Sequence, residues 1–211
     1  IRVLGSTNLP APARVTLGDS AEGQWDAHRV EIEGVVRRVH QEWGHLTLTL
    51  ATPQGRFKAV IPNPDDQPPP NYLIDALVRV RGACSTEVNV RGQFSAVTLH
   101  VPGVEQISIQ DATPLDPFAL HRTSLKSVGT FDPERLAGRR IKVSGVVTLT
   151  IAGQGFYLQD GPSGLWVSTQ QTNQLHAGDL VEVLGFPAAG DFAPYLEEAV
   201  CRRTGAGTLP A

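Results

Sequence analysis

Arg29-Val-Glu-Ile-Glu-Gly-Val-Val36 and Arg140-Ile-Lys-Val-Ser-Gly-Val-Val147 are the stretches whose reading decides the fold. Each alternates apolar and polar residues with a period of two, the pattern of a strand with one buried face, and each ends in a Gly-Val-Val step. Glycine inside a strand lets the backbone bend or lie close to a neighbour. A long first strand that must bend across both halves of a small barrel needs such a place.

Working outward from these stretches, the rest of the chain repeats too. His45-Leu-Thr-Leu-Thr-Leu50 matches Gly155-Phe-Tyr-Leu-Gln-Asp160, and the turns Ala51 to Gln54 and Gly161 to Gly164 follow. Arg56-Phe-Lys-Ala-Val60 then matches Trp166-Val-Ser-Thr-Gln170. Short stretches at Asn71 to Ala76 and Gln174 to Gly178 come next, helix or loop. Leu77 to Gly82 matches Leu180 to Gly185, and Gly92 to Leu99 matches Gly190 to Glu197, the weakest pair. The order is three strands, a helix or loop, then two strands, twice over. That is the OB-fold order, with a sandwich and an SH3-like barrel as competing all-β readings. The expected fold is therefore all-β, two tandem five-stranded OB-type barrels joined by a Pro-rich linker. The expected boundaries are an N-terminal extension at 1–24, a first module at 25–110, a linker at 111–131, a second module at 132–205 and a tail at 206–211.

Phe156-Tyr-Leu-Gln-Asp-Gly-Pro-Ser-Gly-Leu-Trp-Val167 resembles the "F-x-L-Q-D-G-x-x-G-hydrophobic" hairpin of bacterial OB modules. Such modules accompany secreted nucleases and occur in the extracytoplasmic sensor regions of membrane-bound histidine kinases and diguanylate cyclases. The first copy, with Leu46-Thr-Leu-Thr-Leu-Ala51, lacks the Gln-Asp-Gly element. The resemblance implies a non-catalytic, periplasmic sensory or ligand-binding region of a bacterial signalling receptor. A membrane helix and an output domain are then expected elsewhere in the full-length protein. The alternatives are a nucleic-acid or polysaccharide binding appendage of a secreted nuclease, and a rigid spacer or protein-interaction module.

Composition agrees with a packed β protein. The 211 residues are 41% hydrophobic and 18% charged, and 16 prolines with 21 glycines supply many turns. No run of 18 apolar residues is present, and the sequence holds no Met. The chain therefore reads as a piece of a longer protein. Gly5-Ser-Thr-Asn-Leu-Pro-Ala11 echoes Gly205-Ala-Gly-Thr-Leu-Pro-Ala211, which suggests a further module before or after this stretch. The net charge is −3, and each module alone holds slightly more Asp and Glu than Lys and Arg. On that balance a nucleic acid is expected to be an unlikely partner, and a small ligand or a protein is expected instead.

No constellation in the sequence carries catalytic or metal chemistry. The six histidines show no ligand spacing, and Ser, His and Asp residues lie in no nucleophile elbow. Glu197 and Glu198, being adjacent in a strand, point to opposite faces, and Asp65 and Asp66 lie in a Pro-rich loop. No enzyme activity, no cofactor and no metal are expected. Cys84 and Cys201 each end a strand-like run, which suits two small buried thiols, and a disulfide between the modules stays open.

One surface stands out. If Phe156, Leu158, Leu165 and Val167 fill the second barrel, period two sends Tyr157, Gln159 and Trp166 outward together. Strands 2 and 3 form the ligand face of OB folds, where aromatic rings stack on bases or sugars. The alternative is that Trp166 packs on the linker or on the other module. The matching positions of the first copy are Thr47, Thr49, Arg56 and Lys58. The candidate ligand-binding residues are thus Tyr157, Gln159, Trp166, Arg56 and Lys58.

Overall fold

The two Gly-Val-Val steps sit where a strand changes partners. In the computed structural model, which describes residues 2, 5, 8–21, 23–62, 67–88, 94–128, 138–171 and 175–208, most of the chain is strand. The first half holds β1 (Ala13–Arg14), α1 (Leu17–Ala21), β2 (Arg29–Glu42), β3 (His45–Thr52), β4 (Gly55–Pro62), β5 (Leu77–Val88), β6 (Phe94–His100) and β7 (Ile107–Asp111). The second half holds α2 (Leu125–Val128), β8 (Ile141–Ile151), β9 (Gly155–Asp160), β10 (Ser163–Ser168), β11 (Asp179–Ala188) and β12 (Tyr195–Ala206).

The first half of β2 pairs with β5 and the second half with β3, and β8 divides itself between β11 and β9 in the same way. A Cβ on Gly34 would lie 3.0 Å from the Ala51 carbonyl oxygen, and one on Gly145 would lie 2.5 Å from that of Gln159. Each glycine therefore lets the second strand cross tightly over the first. Just beyond it each copy has a bulge, with Arg37 as the extra residue in β2 and Thr148 in β8. A bulge re-aims the side chain it carries.

The β8–β12 strands form a closed barrel in the order β10-β12-β11-β8-β9, with β10 parallel to β12. In the first half the sheet order β2-β3-β4-β6-β5 closes through the β2–β5 pairing, and β1 and β7 extend it to seven strands. The all-β expectation is met. Alternating residues fill two separate cores, one holding Val30, Ile32, Leu48, Phe57 and Val80, the other Val143, Phe156, Leu158, Val167 and Val183.

Several elements depart from the sequence reading. The segment just before the expected linker holds a further strand outside the repeat, β7, which pairs with β5. The repeat also begins earlier than its strongest strands. Arg14 bridges Glu31 in parallel, and Arg122 bridges Lys142 at the equivalent place. A hydroxyl then caps the next short helix in each copy. Thr16 Oγ1 accepts from the Asp19 N–H at 3.2 Å while the Asp19 carboxylate accepts from the Thr16 N–H, a reciprocal capping box. Ser124 Oγ accepts from the Ser127 N–H. Leu17 drops from α1 into the first core, and Leu125 and Val128 drop from α2 into the second. Low sequence identity hid these arms, because a two-residue strand and one turn of helix carry too few positions for periodicity. A single 3-10 turn at Asn71–Leu73 fills the predicted helix-or-loop position of the first copy. Gln174 at the start of the equivalent stretch, the Asp65-Asp66 pair, Gly92 and part of each Leu-Pro-Ala end lie outside the described residues.

The halves meet through charged and aromatic side chains. Phe186 of β11 is fully buried yet belongs to neither core. The guanidinium carbons of Arg37 and Arg140 lie 4.3 and 4.9 Å from its ring centre. Arg38 pairs with Glu198, Arg56 with Glu197, and Arg139 with Asp111 at 2.6 Å. The buried Asp75 carboxylate accepts from the Arg140 N–H at 2.7 Å.

Candidate functional site

The hairpin β9–β10 turns as its alternation demands. Phe156, Leu158 and Val167 are fully buried and Leu165 nearly so, which leaves Tyr157, Gln159 and Trp166 on the outer face. Tyr157 and Trp166 stand directly opposite each other, with ring centres 4.8 Å apart and planes tilted by 54°. That is a favourable aromatic arrangement. The Trp166 ring also lies back over Gly155, where a Cβ would come within 2.9 Å of Cζ2 and 2.0 Å of the Val167 carbonyl oxygen. Gly155 has φ +153 and is buried beneath the ring, so only glycine fits. The Trp166 ring thus meets Tyr157 and Gly155 of its own hairpin.

The apolar surface extends to both sides. Leu149 pairs with Tyr157 across β8 and is 54% exposed. On the other side Val167 pairs in parallel with Leu196, both fully buried. That register sets the outward Tyr195 beside the outward Trp166 on the neighbouring strand. Burial and the charge of Glu197 push the Tyr195 hydroxyl above its usual pKa. Gln159 Nε2 donates to the Gly161 carbonyl at 3.0 Å, so this amide serves its own turn. Phe192, in the turn between β11 and β12, is wholly exposed. In OB folds that turn and the one between the first two strands border the ligand face.

Of the first-copy candidates, Lys58 is exposed and Arg56 is engaged with Glu197 of the second half. Arg56 therefore helps join the modules. The strand register equates Trp166 with Lys58, since Thr49 pairs with Lys58 as Tyr157 pairs with Trp166. The sequence match, which set Trp166 beside Arg56, was two residues out. Around Lys58 the outer face carries His40, Thr47 and His100 on neighbouring strands. At its end stands Trp43, 86% exposed, in a two-residue turn with φ +51 at Trp43 and +71 at Gly44. Sequence reasoning passed over Trp43 and Phe192. The signal was an aromatic residue in a glycine-containing hairpin turn, Trp43 next to Gly44 and Phe192 two residues after Gly190.

Cys84 and Cys201 are free thiols, the first buried in the first core, the second half-buried against the second. Burial raises both thiol pKa values. No group of three or more metal-ligating side chains occurs among the described residues, and no helix among them is long and apolar enough to cross a membrane.

No family model matches the chain, and no curated protein matches it. Among solved structures it is similar to asparaginyl-tRNA synthetase from Pyrococcus horikoshii, at TM-score 0.35 and 16% identity over 49% of this chain and 24% of that one. The aspartyl-tRNA synthetase of Entamoeba histolytica matches at TM-score 0.40 and 10% identity, over 56% of this chain and 24% of that one. The Ifi202 HINa domain in complex with 20-bp dsDNA matches at TM-score 0.33 and 13% identity, over 84% and 96%. No residue here takes a role from these likenesses, and the chain spans about a quarter of the two synthetases.

The expectation that nucleic acid is an unlikely partner is corrected. That expectation stood on summed charge alone, and the solved structures similar to this chain include one in complex with dsDNA. Summed charge misleads here because several carboxylates are paired within the chain and the charges are not spread evenly over its surface. Glu31 pairs with Arg79 and Arg81, Asp179 with Arg203, and Glu182 with Arg202 and Lys142. A net charge of −3 then says little about any one face.

Proposed function

We propose that this chain is a non-catalytic binding unit of two OB-type barrels, and that it takes a ring-bearing neutral ligand, such as a saccharide, on the row Tyr157–Trp166–Tyr195. The observation that carries this reading is the outward-facing pair of an exposed Tyr157 and a half-buried Trp166, fixed in place by Gly155 on strands 2 and 3 of a closed barrel. Aromatic faces stack on sugar rings as well as on bases. The ionic groups at the edges of the row favour a neutral ligand, since Asp160 is held by Arg122 and Glu197 by Arg56. In the full-length protein the unit is the extracytoplasmic sensory region of a bacterial signalling receptor. That assignment is supported by the resemblance of Phe156 to Val167, and sequencing into a neighbouring membrane helix and output domain tests it.

The ligand reading is tested by titrating the tryptophan fluorescence with a chitin hexasaccharide. Saturable quenching that is unchanged between about 50 and 500 mM salt, and lost in Trp166→Ala, is the expected result. Absence of quenching by neutral oligosaccharides would overturn it. A second reading, single-stranded nucleic acid, is favoured by the face bearing Lys58, His40 and His100 with Trp43 at its tip. Quenching by oligo(dT) that falls steeply with salt and is lost in Lys58→Ala would establish that reading instead.

A further inference from the structure

A cleft of about 310 Å³ lies at the junction of the two modules, on a different part of the molecule's chemistry from the aromatic row. Arg38 reaches it from β2. Arg140, Ser168, Gln170, Gln171 and Glu198 reach it from the second module. The volume is at the small end of the range of ligand sites.

The arginines in it are unevenly served. Arg38 is paired with Glu198. The Arg140 guanidinium forms no direct ion pair among the described residues, and Asp75 and Glu198 act on it only from a distance. Its Nη2 donates to the Glu198 carbonyl oxygen at a long 3.5 Å, its Nε is buried and makes no hydrogen bond, and its guanidinium lies over the Phe186 ring. Burial lowers its pKa from the ordinary arginine value, against the pull of the Asp75 and Glu198 carboxylates. At the ring edge of the cleft the Ser168 hydroxyl and the Gln170 amide hydrogen-bond to no described group, whereas Thr169 is committed to the Ala199 carbonyl at 2.6 Å. Glu198, the one carboxylate lining the cleft, adopts φ +47, a conformation non-glycine residues rarely take.

We infer that this cleft binds a small organic anion, a carboxylate or a phosphate monoester, between the guanidinium groups of Arg140 and Arg38. The anion supplies the direct ion pair that the Arg140 guanidinium does not make within the chain and competes with Glu198 for Arg38. Guanidinium groups bind both head groups through paired N–H donors. Ser168 and Gln170 donate to the remaining oxygens. Because one arginine comes from each module, occupancy also ties the modules together, which is the kind of change a sensory region transmits.

The test is isothermal titration of the whole chain with succinate, glycerol 3-phosphate and inorganic phosphate, the three arms separating carboxylate from phosphate and head group from organic body. Saturable binding of at least one organic anion is expected. Arg140→Gln should weaken it about tenfold or more, the cost of losing a charged hydrogen-bond partner. Arg122→Gln, which removes an arginine already held by Asp160, should leave it unchanged. Glu198→Gln should tighten it by removing the internal competitor. If Arg140→Gln fails to fold by circular dichroism, Arg38→Gln, at a mostly exposed side chain, carries the same test and should weaken binding several-fold. No saturable binding of any probe up to about 10 mM, a range that covers weak millimolar sites, overturns the inference. So does equal binding by the arginine variants. Trp166→Ala should leave anion binding intact, so failure here and failure of the saccharide reading are distinguishable.

Discussion

Replacing Phe186 tests whether the two barrels form one cooperative unit. The side chain is fully buried, lies outside both cores and carries two guanidinium groups over its ring. Phe186→Leu keeps most of the apolar volume, a change that costs less than about 1.5 kcal/mol by packing alone. It also removes two cation–π contacts, each worth roughly 1 kcal/mol where solvent is excluded. Arg37 is 2% exposed, and burial already pushes its pKa down to about 10, so it remains charged at neutral pH and feels the loss in full. The expected loss is about 2–3 kcal/mol for Phe186→Leu, and about 3–5 kcal/mol for Phe186→Ala, which adds a cavity. Urea denaturation followed by circular dichroism and by tryptophan fluorescence reads both. Trp25 packs against the first core and Trp166 lies on the second barrel, so Phe to Ala should split one coincident transition into two. Phe186→Leu within about 0.5 kcal/mol of the parent, with a single transition retained in Phe186→Ala, would refute the reasoning.

Three further outcomes follow from particular atoms. Gly145→Ala should cost about 2–4 kcal/mol in the same denaturation assay, because its Cβ would meet the Gln159 carbonyl at 2.5 Å, while Gly205→Ala, with nothing within 4 Å, should change little. Burial raises the Asp75 carboxyl pKa against the pull of Arg139, Arg140 and Arg37. A raised folded pKa gives stability that is complete below the unfolded value and is lost as pH rises through the folded one. The stability of the parent relative to Asp75→Asn should therefore fall from about pH 4 upward, measured by urea titrations at each pH. Asn suits this position because Asp75 has φ +72, which Asn tolerates. Ellman's reagent should label Cys201 well before Cys84, since Cys84 is 2% exposed, and equal rates would contradict the packing.

The strands were legible because each has one buried face. Val30, Ile32 and Val36 in one copy, and Val143 and Val147 in the other, alternate in sequence and all point inward in space. Gly34 and Gly145 were legible for the same reason, since a glycine in the apolar series marks a place where a side chain would not fit. The outward pair Tyr157 and Trp166 came from the same parity. What stayed hidden depends on long-range pairing. The arm of the β2–β3 hairpin is two residues longer than that of β8–β9, so matching the strand starts set Trp166 against Arg56 when its structural equivalent is Lys58. The pairing of Arg56 with Glu197 spans 141 positions, and no local pattern announces it.

The bulge also explains why the two copies diverged. In the first copy it carries Arg37 to the Phe186 ring, and the next residue, Arg38, pairs with Glu198. In the second copy the same bulge carries Thr148, whose hydroxyl donates to the Tyr157 carbonyl, and the next residue is the exposed Leu149. The part of the outer surface at Arg38 and Arg56 is thus covered by the second module in the first copy, whereas the equivalent Leu149 of the second copy is exposed. Charged residues suit the covered part, because acids from the next barrel meet them there. An uncovered version of that surface would be expected to turn polar unless something else binds it. It bears Leu149, Tyr157 and Trp166 instead. The apolar character of that face is therefore an argument for an occupant, independent of any likeness to another protein.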